Sequence, residues 1–233
     1  MKYSVVIISL NEENNIRHCI DSIRQTGRDD VQIILSDGGS RDGTLRLALN
    51  ENIKIVSSLA CRGTQFNKGA ELAEGEVILF LHADTLLPKN AFEILDKYFK
   101  SGKVKVGTFR LAFDKENLLL SFYTKLTSFD SIFTKFGDQC ITTRKDFFER
   151  LNGFKNWRLF EDVDFLRRAR KLTKIYSFPA SVTTSARRFE ENGLVKQQVL
   201  NGWYILKFLA GIEHFKLFND YYKTHLHNPE EFS

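Results

Sequence analysis

The stretch "EVILFLHADT", residues 76–85, decides how this chain is read. Val77 to Leu81 is an unbroken apolar run. A strand covered on both faces has that texture, because neither face meets water. The run ends in His82, Ala83 and Asp84, so an imidazole and a carboxylate stand at the strand's carboxyl end. If the strand continues through Asp84, its two-residue period puts both side chains on one side.

The same texture recurs upstream. "YSVVIIS" (3–9), "VQIILSD" (31–37) and "IKIVSS" (53–58) read as strands. Helical segments separate them. "NEENNIRHCIDSIRQ" carries Ile16, Cys19, Ile20 and Ile23 on one face, and "DGTLRLALNE" carries Leu45, Leu47, Ala48 and Leu49. "GTQFNKGAELAEG" is the third helix. Alternating strands and helices specify an α/β fold: a Rossmann-like, mostly parallel sheet flanked by helices. Such sheets bind ligands outside the carboxyl ends of their strands, near a switch in strand order. Here those ends carry Asn11 and Glu12, then Asp37, then Arg62, then His82 and Asp84. Four consecutive strand ends with ligand-type groups are the strongest physical signal in the chain.

Downstream, "NAFEILDKYFK" reads as a helix and "VKVGTFRLAF" as a strand. From about residue 115 the pattern turns helical and aromatic, with Leu119, Phe122, Tyr123, Leu126, Phe129 and Phe133 at helical spacing. "GDQCITTR" is a turn and short strand, "DFFERLNGF" a helix closed by glycine, and "EDVDFLRRARK" a helix with acids first and bases last. "IYSFPASVTTSARRF" holds one or two strands, and the remainder to Lys223 is helical. The expected division is a ligand-binding α/β part over 1–110 and a second part with C-terminal helices over 111–233, as one continuous domain.

Bulk properties set limits. At 233 residues, 42 % of them hydrophobic, the chain can bury a full core. The net charge of +5 suits a phosphate-bearing ligand or an anionic surface, and is too small to demand nucleic acid. Cys19, Cys61 and Cys140 are odd in number and far apart, which argues against a disulfide framework or zinc site and for a reducing cytoplasm. No run approaches the roughly 18–20 apolar residues that span a bilayer. The aromatic helices near 119–133 and 203–222 leave a peripheral contact at the inner face of the membrane as an expectation.

Several stretches carry chemistry, each with a plainer alternative. "SDGGSRDGT" (36–44) lets a backbone approach a ligand while Asp37 accepts from a base or ribose; it serves equally as turn and helix cap. "HADT" offers Asp84 as an oxygen ligand for Mg2+ or Mn2+ beside a diphosphate, with His82 acceptable to Mn2+; it reads alternatively as a turn. "LFEDVDF" (159–165) supplies Glu161, Asp162 and Asp164 as candidate general bases or simple helix-start acids. Arg187 and Arg188 can clamp phosphate or lie solvated. His225 and His227 read as solvated.

Taken together, these residues resemble the family-2 glycosyltransferases of GT-A fold. "SVVIISLNEENNI", "ILSDGGSRDGT" and "RGTQFNKGAELAEGEVILFLHADT" match that family's motifs in order, with "GDQ" and "EDVDF" beyond them. "FLHADT", "GDQ", "EDVDF" and "SARRFE" further resemble a small bacterial subgroup associated with arsenosugar biosynthesis and radical-SAM gene neighbourhoods. The resemblance spans roughly residues 3–210. It implies a UDP- or GDP-sugar donor, a divalent metal (Mn2+ or Mg2+), inversion at the anomeric carbon and an acceptor bound on the C-terminal side. It places Leu10, Asn11, Glu12, Asp37, Arg62 and Asn67 at the nucleotide and Asp84 at the metal. Asp162 becomes the general base with Glu161 beside it, and Asp138, Gln139 and Arg188 face sugar or acceptor. His82 departs from the family, which usually has aspartate there. Two other readings stand beside this one. A nucleotidyltransferase on a similar sheet would need a basic, glycine-rich loop after the first strand, where "LNEENNI" is acidic. A catalytically silent nucleotide-sugar-binding module would keep the pocket without the metal.

Overall fold

β1 (Tyr3–Ser9) and β4 (Val77–His82) are adjacent and parallel at the centre of the sheet. Val5 and Ile7, with Leu79 and Leu81, enter one core layer, while Val6 and Ile8, with Ile78 and Phe80, enter the other. Alternation along an all-apolar strand therefore fills both faces, which is what allows helices on either side. α1 (Ile16–Arg24) and α4 (Ala91–Phe99) cover the first face. α3 (Arg62–Glu71), α5 (Lys145–Arg150) and α6 (Glu161–Arg170) cover the second. The computed structural model describes residues 1–114, 130–131, 134–185 and 194–225.

The remaining strands are β2 (Val31–Asp37), β3 (Lys54–Ser57), β5 (Thr85–Leu86), β6 (Val106–Phe113), β7 (Ile141–Arg144) and β8 (Tyr176–Thr184). They make one eight-stranded sheet in the order β3-β2-β1-β4-β7-β6-β8-β5. β3, β2, β1 and β4 run parallel, and β7 is antiparallel to both β4 and β6. The chain builds outward from β1 to β3 and returns to place β4 on the other side of β1. The switch point lies there, and the register aligns its rim: Ser9 pairs with Asp37, Asp37 with Ser57, and Ile8 with His82. β6 continues past residue 110, its pairing with β8 shifting register between Thr108 and Arg110.

Two local expectations change. β4 stops at His82, and after a short turn the chain forms β5, which pairs antiparallel with β8. Strand alternation therefore does not set the relation of His82 to Asp84. The second helix, α2 (Thr44–Leu49), has six residues; it buries Thr44 and Ala48 and leaves Leu49 71 % exposed. The expected turn at "GDQ" is a 3-10 turn, Gly137–Gln139, and the expected short strand follows it as β7. Among the described residues none of the three cysteines is bonded to another; Cys19 and Cys140 are buried.

α7 (Leu194–Leu209) and α8 (His214–His225) form a helical pair. Tyr204, Ile205, Phe208 and Leu217 pack on Phe160 and Val163 at the start of α6, forming a third apolar cluster. No helix among the described residues is long and apolar enough to cross a membrane. The aromatic stripe from Leu119 to Phe133, Arg187, Arg188 and His227 lie outside the described residues, as does the side chain of His225.

Candidate active site

The strand ends of β1 and β2 are laced into one rim. Asp37 is 1 % exposed, and its carboxylate accepts from Ser9 Oγ at 2.8 Å, Gly39 N at 2.9 Å, Ser40 N at 2.8 Å and Ser40 Oγ at 2.5 Å. Four donors compensate the buried charge and fix the glycine turn. Asp37 thus sits beneath the loop as its brace, where an exposed ligand for base or ribose was the alternative. Asn11, at φ +56°, receives Arg41 N on its Oδ1 at 2.9 Å, and its own N–H donates to Ser40 Oγ at 2.9 Å. Glu12 N donates to Thr44 Oγ1 at 2.8 Å. Gln65 of α3, which no motif singled out, sends its buried amide to the carbonyls of Ser9 and Ser36 at 2.8 and 3.1 Å. It ties the ends of β1 and β2 from below.

Above this rim is an open cleft of about 920 Å3. Leu10, Asn11, Gly38 and Gly39 contribute one side, and Leu59 to Cys61 before α3 contribute the next. Asn156, Trp157 and Arg158 come from the α5–α6 connection, and His214, Phe215 and Phe218 from α8. Trp157 and α8 had no sequence signal for the site, because the contact joins segments far apart in the chain.

The α5–α6 connection is clamped onto α3. Asn67 accepts Phe154 N at 3.0 Å and donates to Phe154 O at 2.9 Å, so its side chain holds this wall of the cleft. Gly63 N donates to Trp157 O at 3.1 Å. Asp164 is buried and paired with Arg168 at 2.7 Å, which removes it from the candidate bases.

Arg62 follows Cys61 at the cleft and acts electrostatically on Glu161, the first residue of α6. Glu161 is 1 % exposed, and its Oε2 has no hydrogen-bond partner. Burial pushes its carboxyl up to about 8; Asp162 adds to the rise and Arg62 opposes it. Asp162 is half-buried and accepts Gly137 N on Oδ2 at 2.6 Å and Val163 N on Oδ1 at 2.8 Å. The turn that carries Asp138 is thereby held against Asp162 at Gly137. Gln139 is placed differently from the sugar-facing expectation: it is 0 % exposed, accepts Thr108 Oγ1 at 3.3 Å and donates to Thr134 O at 2.6 Å.

The raised Glu161 value has a consequence for stability. The folded protein binds this proton more tightly than the unfolded chain, whose carboxyl titrates near 4.5. The cost is absent below that pH, grows as pH rises toward about 8, and is then constant. Glu161→Gln is expected to raise the melting temperature by several degrees at about pH 8 and by little at about pH 4. Calorimetry of both proteins across that range checks it; an equal gain at both ends contradicts it.

His82 ends β4, and Asp84 lies in the turn that leads to β5. The His82 ring meets the Phe66 ring edge-on, centroids 5.5 Å apart. Cys19 Sγ lies 3.8 Å from His82 O, and burial pushes its thiol up, with the charges of Asp84, Cys140 and Glu12 adding to the rise. No group of three His, Cys, Asp or Glu suited to a metal exists among the described residues. The donor set fits a hard divalent ion only as a shared site, with Asp84 and His82 completed by phosphate oxygens.

A mostly parallel sheet with a cleft at its switch point is the arrangement in which open α/β folds bind ligands at the carboxyl ends of their strands. Solved structures of the same fold include TarS 1–349 of S. aureus, with TM-score 0.68 and 18 % identity over 93 % of this chain and 68 % of that one. The mannosyltransferase PcManGT of Pyrobaculum calidifontis, solved with GDP-Man and Mn2+, aligns with TM-score 0.65 and 17 % identity over 99 % of this chain and 72 % of its own. The fold is GT-A. The chain belongs to glycosyl transferase family 2, whose profile matches residues 4–167. A PGL/p-HBAD biosynthesis glycosyltransferase of Mycobacterium bovis is 36 % identical over 93 residues, 36 % of each chain. The match thus covers about a third of that relative's length.

Proposed function

We propose that the protein transfers a sugar from a nucleotide-diphosphate sugar to an acceptor hydroxyl, with inversion at the anomeric carbon. One observation carries this reading: the connection that walls the switch-point cleft with Asn156, Trp157 and Arg158 leads directly into an acidic pair at the start of α6, in which Glu161 is buried and Asp162 is half-buried. The nucleotide lies against Leu10 and Asn11. Glu12 and Asp37 set the loops that receive it, Asn67 holds the opposite wall, and Arg62 meets the diphosphate charge. Asp84, with His82, would hold a Mn2+ or Mg2+ ion that neutralises charge on the departing diphosphate.

Asp162 takes the proton of the acceptor hydroxyl while that oxygen bonds to the anomeric carbon and the sugar–diphosphate bond breaks. Glu161 keeps its own proton at neutral pH and has no exposed oxygen with which to attack. With one accessible carboxylate in the pair, direct displacement is favoured over a covalent sugar–enzyme intermediate. Asp138 lies on the sugar and acceptor side, and Arg188 joins it from the sequence resemblance. The narrower kinship with the arsenosugar-associated subgroup rests on the FLHADT, GDQ, EDVDF and SARRFE motifs.

A thermal-shift panel of UDP, GDP and their sugars, with Mn2+ or Mg2+, tests the donor class. A matching donor at about 100 times its dissociation constant is expected to raise the melting temperature by about 5 °C or more. No shift with any of them contradicts the reading. Pyrophosphate release from a nucleoside triphosphate and a sugar phosphate would favour a nucleotidyltransferase instead.

A further inference from the structure

Four rings line the cleft: Trp157, His214, Phe215 and Phe218. The loops after β1, β2 and β3 contribute no ring to it, so among the described residues the rings available for stacking come from the α5–α6 connection and from α8. Three of the four rings are engaged. Trp157 and His214 stack on each other, centroids 4.3 Å apart with 15° between planes. Phe218 carries the Arg158 guanidinium 5.2 Å from its centroid. Phe215 is 65 % exposed and has no ring or cation partner among the described residues. In the same cleft Gly39, at φ +94°, has open space where a Cβ would stand. Bare backbone and an uncovered phenyl ring lining one cleft suit a flat, aromatic ligand group.

We propose that Phe215 stacks on the nucleobase of the donor, which makes α8 a wall of the nucleotide site. This rests on the nucleotide-sugar reading and extends it beyond residues 4–167, the span of the family profile. Family membership therefore does not supply this contact. The stack between Trp157 and His214 anchors α8 to the cleft, and Phe215 follows His214 directly. Stacking of this kind accepts any base, because every base has a π-face. Phe215 would thus raise affinity for the base half of the ligand, while discrimination between bases falls to polar groups at the rim.

The test uses the full chain with UDP, GDP and inorganic pyrophosphate, read by calorimetry and by tryptophan fluorescence. The chain has two tryptophans, so Trp203→Phe leaves Trp157, in the cleft wall, as the only reporter. Phe215→Ala is expected to weaken UDP and GDP about 10-fold and to leave pyrophosphate binding unchanged. Phe215→Tyr restores nucleotide affinity, whereas Phe215→Leu, apolar without a π-face, does not. Because Phe215 is exposed, these variants are expected to melt as the parent does. Wild-type protein that binds neither UDP nor GDP removes the donor reading itself. Wild-type binding with undiminished affinity in Phe215→Ala, or full affinity in Phe215→Leu, overturns the stacking assignment alone.

Discussion

Asp162→Asn is expected to lower sugar transfer by about 1000-fold while leaving nucleoside diphosphate affinity within about twofold of wild type. The carboxylate is held at both oxygens by backbone amides, Gly137 N at 2.6 Å and Val163 N at 2.8 Å. It is therefore oriented before any substrate arrives. Asparagine keeps the size and loses the proposed base. Its amide nitrogen must also face one of those two N–H groups, so one hydrogen bond is lost, at about 1 kcal/mol. Glu161 cannot substitute, because it is buried and keeps its proton to about pH 8. Asp162 does not line the cleft, so nucleotide binding is spared. Nucleoside diphosphate release and calorimetric binding, measured on the same preparation, separate the two effects. Transfer at a near wild-type rate would place the base elsewhere.

Gly63→Ala is expected to lower the melting temperature by about 10 °C, on the order of 3 kcal/mol, and to weaken nucleotide binding about 10-fold or more. A Cβ there would stand 1.8 Å from Lys155 O, 2.9 Å from Lys155 C and 3.1 Å from Trp157 N. These are backbone atoms, so no side-chain rotation relieves the overlap. The α5–α6 connection would have to move off α3, breaking Gly63 N to Trp157 O and straining the two Asn67 hydrogen bonds to Phe154. The same movement displaces Asn156, Trp157 and Arg158 from the cleft. A thermal melt and a UDP or GDP titration check both parts. A variant with unchanged melting and binding would show that α3 and the connection are not in contact.

The fold was legible because its strands are apolar on both faces and its helices separate them regularly. β1, β2, β3 and β4 and the buried face of α1 emerge from periodicity alone: Ile16, Cys19, Ile20 and Ile23 are all buried. β5 does not. It has two residues and is defined by Thr85 and Leu86 pairing with Thr184 and Thr183, about a hundred positions away. The site divides the same way. Asn11, Asp37, Arg62, His82 and Asp84 mark strand ends, and topology brings strand ends together. Whether Asp37 faces a ligand or braces a turn depends on the hydroxyls of Ser9 and Ser40, which its spacing does not encode. Glu161 and Asp162 are neighbours in sequence, yet one is buried and the other held by Gly137, a residue 25 positions earlier. Trp157 reaches the cleft while packed on Phe208, and α8 while its His214 stacks on Trp157, contacts with no local motif.

The proposed inversion through a single base can be tested without knowing the acceptor. Water is the default acceptor for a donor that the protein binds. The nucleotide sugar that stabilises the protein, chosen with an α-linked sugar, is incubated with it, and proton NMR follows the first free sugar before mutarotation. The β anomer is expected to form first in the wild-type protein, and Asp162→Asn is expected to release almost none. The α anomer first would contradict direct displacement.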